Sequence, residues 1–313
     1  MHPNFIAETS LDGVVDRSFT VGEVPGVLWS PARPAANAPL LLLGHGGGLH
    51  KRAAGLVARA RKAVIDNGFH VAAIDSPGHG ERPRSRQDQQ WVNALIRARE
   101  QSEPLAPIIT PFNVSLAERA VPEWQMTIDA LQSLPEIGDV APIGYSGMTL
   151  ASAIGIPLAV ADPRIRAAIF GGVFVYDAML DAARQVTIPI EFLLPWDDEE
   201  IDRECGFALF DALGSKEKTL LAFPGSHFRV PTERIDTRFF ARHLGRPMST
   251  PPVSPERPHG TAVMPAARTS PHPVPPWRAS GPGNRSSARG ETPVSGLSHG
   301  TPDRQHDELR RKR

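Results

Sequence analysis

Four consecutive leucines, Leu40 to Leu43, run directly into Gly44-His45-Gly46-Gly47-Gly48. A short unbroken apolar run of this kind is the pattern of a parallel strand buried on both faces. Lys51 to Asn67 then reads as a helix, with Leu56, Val57, Ala60, Val64 and Ile65 on its apolar face. Gly68 suits the position just beyond its C-terminus. A second strand, Phe69 to Ile74, ends in another glycine-rich turn, Asp75-Ser76-Pro77-Gly78-His79-Gly80. Two strands flanking a helix make a βαβ unit. The unit predicts a parallel sheet with its functional groups at the carboxyl ends of the strands.

The rest of the chain repeats the theme with one interruption. Before Leu40, Val14-Val15, Phe19 to Val21 and Gly26 to Trp29 read as short strands. Residues 81–121 break the alternation. A helical piece around Trp91, Leu95 and Ile96 and another over Val114 to Val121 are separated by Pro104, Pro107 and Pro111. About forty residues exceed an ordinary connection, so a lid inserted over the site is expected, with a plain surface insertion as the alternative. Glu123 to Leu134 reads as a helix with Pro122 in its first turn. A strand over 139–145, a small apolar helix from Leu150 to Ala161, and strands at Ile165 to Phe170, Ile188 to Leu194 and Thr219 to Phe223 follow. Helices are expected around Asp177 to Arg184, at Arg203 to Leu213 and at Thr232 to Leu244.

Composition sets the boundaries. A 41% hydrophobic content and zero formal net charge fit a globular protein and give no general bias toward nucleic acid or anionic membranes. No apolar run approaches the ~20 residues that span a bilayer. Met1-His2-Pro3-Asn4 has neither a basic stretch nor an apolar core, so no signal peptide is expected, and Cys205 is the only cysteine. A cytoplasmic location without disulfides is the expectation, with Cys205 an inert, partly buried thiol. From Pro247 the chain holds 13 of its 32 prolines and only six Leu, Ile, Val or Phe. Residues 1–246 are therefore expected to form the folded domain and 247–313 a disordered tail ending in Arg310-Arg311-Lys312-Arg313.

The chemistry centres on Gly144-Tyr145-Ser146-Gly147-Met148-Thr149-Leu150-Ala151-Ser152. A strand that turns sharply through small residues into a helix holds a hydroxyl at the top of a sheet, as in the G-x-S-x-G elbow. Two registers compete. Ser146 offers a primary hydroxyl but leaves a short strand containing Pro142. Thr149 gives a longer strand through Gly147, at the cost of a β-branched residue in a strained turn and of Ala151 where a glycine is usual. After a later strand come Asp197 and Asp198, and after the last strand Pro224-Gly225-Ser226-His227. The order hydroxyl, acid, histidine is that of a nucleophile, an orienting acid and a general base. The glycines after Leu43 suit backbone donors for a developing oxyanion: Gly46 or Gly47 from this run, and the residue after the nucleophile, Gly147 or Leu150. No HExxH motif or Cys/His cluster points to a metal, and no cofactor is called for.

These pieces in this order resemble the α/β-hydrolase superfamily, and within it the dienelactone-hydrolase-like and acyl-peptidase-like esterases, over roughly residues 25–245. The resemblance implies an α/β-hydrolase fold, a mostly parallel twisted sheet with helices on both faces. It implies hydrolysis of a small carboxylic ester, lactone or thioester through a hydroxyl–His227–Asp198 triad. Asp198 is chosen over Asp197 because Pro195-Trp196-Asp197-Asp198-Glu199-Glu200-Ile201 aligns with the family's Gly-x-x-Asp-x-x-Val. Asp197 is then a turn former, and His45 and His79 support their own loops. The partner expected is a small-molecule acyl substrate. The worn elbow leaves a second possibility, a binding protein or non-hydrolytic catalyst on the same scaffold.

Overall fold

The computed structural model describes residues 2–230 and 237–245. The expected tail at 247–313 and the start of the helix placed at Thr232 lie outside the described residues. Among the described residues nine strands form one sheet: β1 (Asn4–Leu11), β2 (Val14–Val21), β3 (Val24–Pro31), β4 (Leu40–Leu43), β5 (His70–Ile74), β6 (Ile143–Ser146), β7 (Ile165–Gly171), β8 (Ile190–Pro195) and β9 (Lys218–Phe223). Their spatial order is β1-β2-β3-β5-β4-β6-β7-β8-β9. The first three strands and β5 pair antiparallel; every pairing from β5 through β4 to β9 is parallel. The described helices are α1 (Ala54–Asn67), α2 (Arg86–Glu100), α3 (Ala106–Gln132), α4 (Leu150–Ala161), α5 (Asp177–Gln185), α6 (Arg203–Ala212) and α7 (Thr237–His243).

The four leucines show why the sheet must be covered twice. Leu40 and Leu42 join the core that α3 and α4 build with Leu131, Ile154 and Ile156. Leu41 and Leu43 join the opposite core, built by Leu56, Ala60 and Ala63 of α1 and Phe239 and Phe240 of α7. Alternate side chains of a strand leave opposite faces of the sheet, and all four are buried. Each is stabilised by roughly 1.5–3 kcal/mol relative to exposure. α1 ends as expected, with Gly68 left-handed at φ 63° and its N–H returned to the carbonyls of Ala63 and Val64. Its face is narrower than the sequence implies, because Ile65 is exposed.

Three expectations need correction. The loosely patterned start contains a full strand, β1, whose residues are all exposed, so no alternation marks it. β2 is one strand where two short ones were expected. The helices expected on either side of Pro122 are a single 27-residue helix, α3, with Pro111 and Pro122 inside it. A proline there removes one backbone hydrogen bond. Packing of Phe112, Leu116, Trp124 and Ile128 into one core keeps the axis continuous.

α4 seats its small residues directly on the sheet. A Cβ on Gly155 would lie 2.1 Å from Tyr145 Cε1 and 2.8 Å from Phe170 Cε1. Both rings are fully buried, so neither has room to retreat. Gly155→Ala is therefore expected to cost about 1–3 kcal/mol through overpacking. The check is a lower urea midpoint with an unchanged denaturant slope.

Candidate active site

The hydroxyl at the turn is that of Thr149. The residue caps α4 at φ 56°, ψ −120°, a positive-φ conformation that β-branched residues resist. Holding it there costs about 1–3 kcal/mol unless neighbours compensate, and here they surround it. Thr149 N–H donates to Gly171 O at 3.0 Å, and its carbonyl accepts from Ser152 and Ala153. The Ser152 hydroxyl accepts from Gly171 N–H at 2.8 Å and lies 2.9 Å from Gly147 O. Tyr145 Oη donates to Ala151 O at 2.7 Å. Ala151, in place of the usual glycine, is accommodated by glycine elsewhere. Its Cβ sits where a side chain on Gly147 would reach 2.3 Å.

Ser146 is elsewhere. It ends β6, pairs with Leu43 and Ile169, and is 2% exposed. It does not line the cavity described below. The backbone donor that would accompany it, Gly147 N–H, is spent on Ile169 O at 3.0 Å. Of the two expected registers, only that of Thr149 reaches the turn. Pro142 is no obstacle, because it precedes β6 and contributes only its carbonyl, which accepts from Leu40 N–H at 3.0 Å.

A cavity of about 530 Å³ opens at the carboxyl ends of the strands. Thr149, Leu150, Gly46, Gly47 and His227 all line it. Leu150 is the first residue of α4, so its N–H has no partner within the helix. Gly46 is placed so that a Cβ would lie 2.9 Å from Thr149 Oγ1. The threonine hydroxyl thus rests against the glycine backbone. Val92, Leu95, Ile96 and Arg99 of α2, and Ile109, Phe112, Asn113 and Leu116 of α3, line the same cavity. α2 begins at Ser85, whose side chain accepts from Asp88 N–H at 3.0 Å. Bidentate pairs join Arg119 to Asp88 and Arg82 to Glu123.

His227 follows β9, and Asp198 follows β8. Their loops meet. His227 Nδ1 lies 2.7 Å from Asp198 Oδ2, which also accepts from the His227 backbone N–H. Asp198 Oδ1 accepts from the N–H groups of Glu200 and Ile201. Burial pushes the Asp198 carboxyl up, but the His227 backbone N–H, the Ile201 N–H and the imidazole outweigh it and hold it below the usual carboxylate range. Asp197 turns the other way. It accepts from Gly225 N–H at 3.2 Å and ties the two loops together. Near His227 Nε2 lies a second carboxylate, Glu200, at 3.9 Å, itself held by Arg99 of α2 through two hydrogen bonds of 2.9 Å. Neither Glu200 nor Arg99 stands out in the sequence, since charges on loops and helix faces are common.

His45 and His79 lie at the cavity rim, their rings 5.3 Å apart. His45 Nδ1 pairs with Gly46 O at 2.9 Å, and Nε2 accepts from Ser76 N–H at 3.0 Å. The network fixes a neutral tautomer that bridges the two glycine-rich loops. Buried Lys51 joins the same loops, pairing with Asp75 at 2.7 Å and Glu81 at 2.6 Å. Cys205 is exposed rather than partly buried. Desolvation and the neighbouring Asp202 and Glu204 raise its thiol, which keeps it protonated. Among the described residues no group of side chains has the makings of a metal site. Nor is any described helix long and apolar enough to cross a membrane.

Comparison with known proteins agrees with this fold. No family model and no curated protein matches the chain. Solved structures do. A cold-adapted esterase from an Arctic intertidal metagenomic library, in a PEG-bound complex, is 30% identical over 78% of this chain and 100% of its own, with a TM-score of 0.62. The chain belongs to the α/β-hydrolase esterases. Acetyl xylan esterases from Paenibacillus sp. R4 (14% identical, 78% of this chain and 88% of that one, TM-score 0.55) and from Thermoanaerobacterium sp. JW/SL YS485 (13%, 78% and 88%, 0.56) share the fold.

The His45 bridge has a measurable signature. Desolvation is the main cause that lowers its imidazole to about 4. The unfolded chain takes up a proton near pH 6.5, and the folded one does not. Stability is therefore full above about pH 6.5 and falls as the pH drops toward about 4, by about 3 kcal/mol in all. In His45→Gln, urea midpoints measured across that window are expected to follow a flatter curve. A slope equal to that of the parent protein would assign the titration to another group.

Proposed function

We propose that the chain hydrolyses small carboxylic esters, lactones or thioesters with Thr149 as the nucleophile. The observation that carries this reading is the placement of Thr149. It is held at positive φ at the β6–α4 turn, on the cavity that His227 also lines, with His227 paired to Asp198. In the reaction, His227 takes the proton from Thr149 Oγ1 as oxygen attacks the acyl carbon. Asp198 fixes the imidazole through Nδ1 so that Nε2 serves as base. Charge developing on the carbonyl oxygen is met by Leu150 N–H and by Gly46 or Gly47 N–H. One such donor contributes roughly 3–4 kcal/mol. His227 then protonates the leaving alkoxide, and water resolves the acyl-enzyme by the same route in reverse. Helix α2 and the first half of α3 act as the lid that encloses the acyl group. The motif order supports a dienelactone-hydrolase-like relationship, and a single thiol suits a reducing compartment such as the cytoplasm.

A second reading has its own observation. The elbow residue is β-branched and Ala151 stands where a glycine is usual, features that fit a scaffold used for binding or for non-hydrolytic chemistry.

Substitution at the elbow separates the two. Thr149→Ala is expected to lower kcat/KM on 4-nitrophenyl acyl esters by about three orders of magnitude or more. Ser146→Ala should stay within about twofold of the parent protein, as expected of a hydroxyl outside the reaction. Thr149→Ser should retain activity and raise the melting temperature, since it removes the branch from a strained turn. A fluorophosphonate probe should label Thr149. Labelling at Ser146 would refute the assignment, and no turnover or labelling in the folded protein would favour the second reading.

A further inference from the structure

One charged group on the cavity has no part in the triad. Arg59 lies in the second turn of α1, three residues after Leu56 and four before Ala63, on the helix face that is otherwise buried. Its side chain lines the cavity together with Gly46, Thr149 and His227. The other two arginines there have partners. Arg99 is held by Glu200, and Arg84 reaches Gln89. Arg59 has no hydrogen bond or ion pair among the described residues. Tyr145, beneath the elbow, is its electrostatic neighbour among the described residues. Desolvation lowers the guanidinium to about 10, so it stays cationic at neutral pH.

The surroundings lack a counter-charge. Among the described residues that line the cavity there is no Asp or Glu. Asn113 of α3 faces the same space and is 5% exposed, and its side chain makes no hydrogen bond among the described residues. Much of the remaining wall is apolar, including Leu95, Phe112 and Leu116. Arg59 is half-buried, so its cation keeps only part of its hydration and gains from an anionic partner. A cavity that is mostly apolar, with a few polar groups, orients its ligand through those groups. A guanidinium matches a carboxylate as a planar two-pronged donor.

We infer that Arg59, with Asn113 beside the same space, binds a carboxylate of the substrate, so that the preferred ester is a hemiester of a dicarboxylic acid. The ester end of this assignment rests on the triad reading; the acid end rests on Arg59. Hydrolysis adds water across the ester bond and releases an alcohol and the free dicarboxylic acid. The second carboxylate takes no part in bond making. It anchors the acyl chain while Thr149 attacks.

Thermal melting of the full chain with malonate, succinate, glutarate or adipate tests the acid end without turnover. At least one of these should raise the melting temperature of the parent protein, whereas neutral dimethyl esters of the same acids should not. Arg59→Met should lose the shift, and Arg59→Lys should keep a smaller one. Without ligand, Arg59→Met should melt higher than the parent, because it removes a partly desolvated cation that has no partner. A merely structural arginine would give the opposite sign. In kinetics, the ratio of kcat/KM for a mono-(4-nitrophenyl) dicarboxylate to that for 4-nitrophenyl valerate should fall at least about tenfold in Arg59→Met. The inference is overturned if no dicarboxylate stabilises the parent protein more than Arg59→Met. Turnover of neutral esters with that result would leave the triad standing and remove the carboxylate site. An Arg59-dependent shift without any ester turnover would do the reverse.

Discussion

A threonine held at positive φ is the constraint on which the site depends. The conformation is unfavourable for a β-branched residue, so it persists only because its neighbours leave no alternative. Those neighbours come from three places. β7 accepts the Gly147 and Thr149 N–H groups and carries the ladder past the formal end of β6. α4 returns Ser152 and Ala153 to the Thr149 carbonyl. Tyr145, buried under the turn, fastens its hydroxyl to Ala151. Each contact needs the sheet to be already in place, with α4 lying flat on it over Gly155. The two apolar cores thus do more than stabilise the fold. They fix one hydroxyl at the mouth of the cavity.

The other half of the site is brought in by the parallel sheet. β8 and β9 are neighbours, so the loops after them emerge side by side and Asp198 meets His227 without a long reach. The Asp197–Gly225 bond closes the same pair of loops from the other side. On the opposite flank, Lys51 and His45 join the loops after β4 and β5, which holds the glycine run against Thr149 Oγ1. Adjacent parallel strands explain why residues far apart in the chain converge at one edge.

Much of this was legible in the sequence, because buried parallel strands and glycine-rich turns leave strong local marks. Leu40 to Leu43 and Gly68 lie where the pattern placed them, and the loops after β8 and β9 bring Asp198 to His227. The elbow register was not legible, since Ser146 and Thr149 both stand near Gly147 among small residues. Only the ladder decides it, by spending Gly147 N–H on Ile169 and placing the turn two residues later. Prolines misled in α3 because its packing into the core outweighs one lost hydrogen bond. β1 left no signal, as an exposed strand has no apolar face to alternate. Arg59 had a faint one: a charge between Leu56 and Ala63, inside the stripe that α1 buries.

Two unfavourable features face the same cavity, a strained backbone at Thr149 and an unpaired cation at Arg59. Neither helps the chain to fold. Both would be relieved by a common substitution, serine at the first position and an apolar residue at the second. Local choices that oppose stability tend to occur where the chain does chemistry or binds a ligand. The two cores, each closing one face of the sheet, supply the surplus that tolerates them. Of the two, only the unpaired charge can be relieved by a ligand, and in the proposed reading that ligand presents its acyl carbon to Thr149 and its anionic end to Arg59.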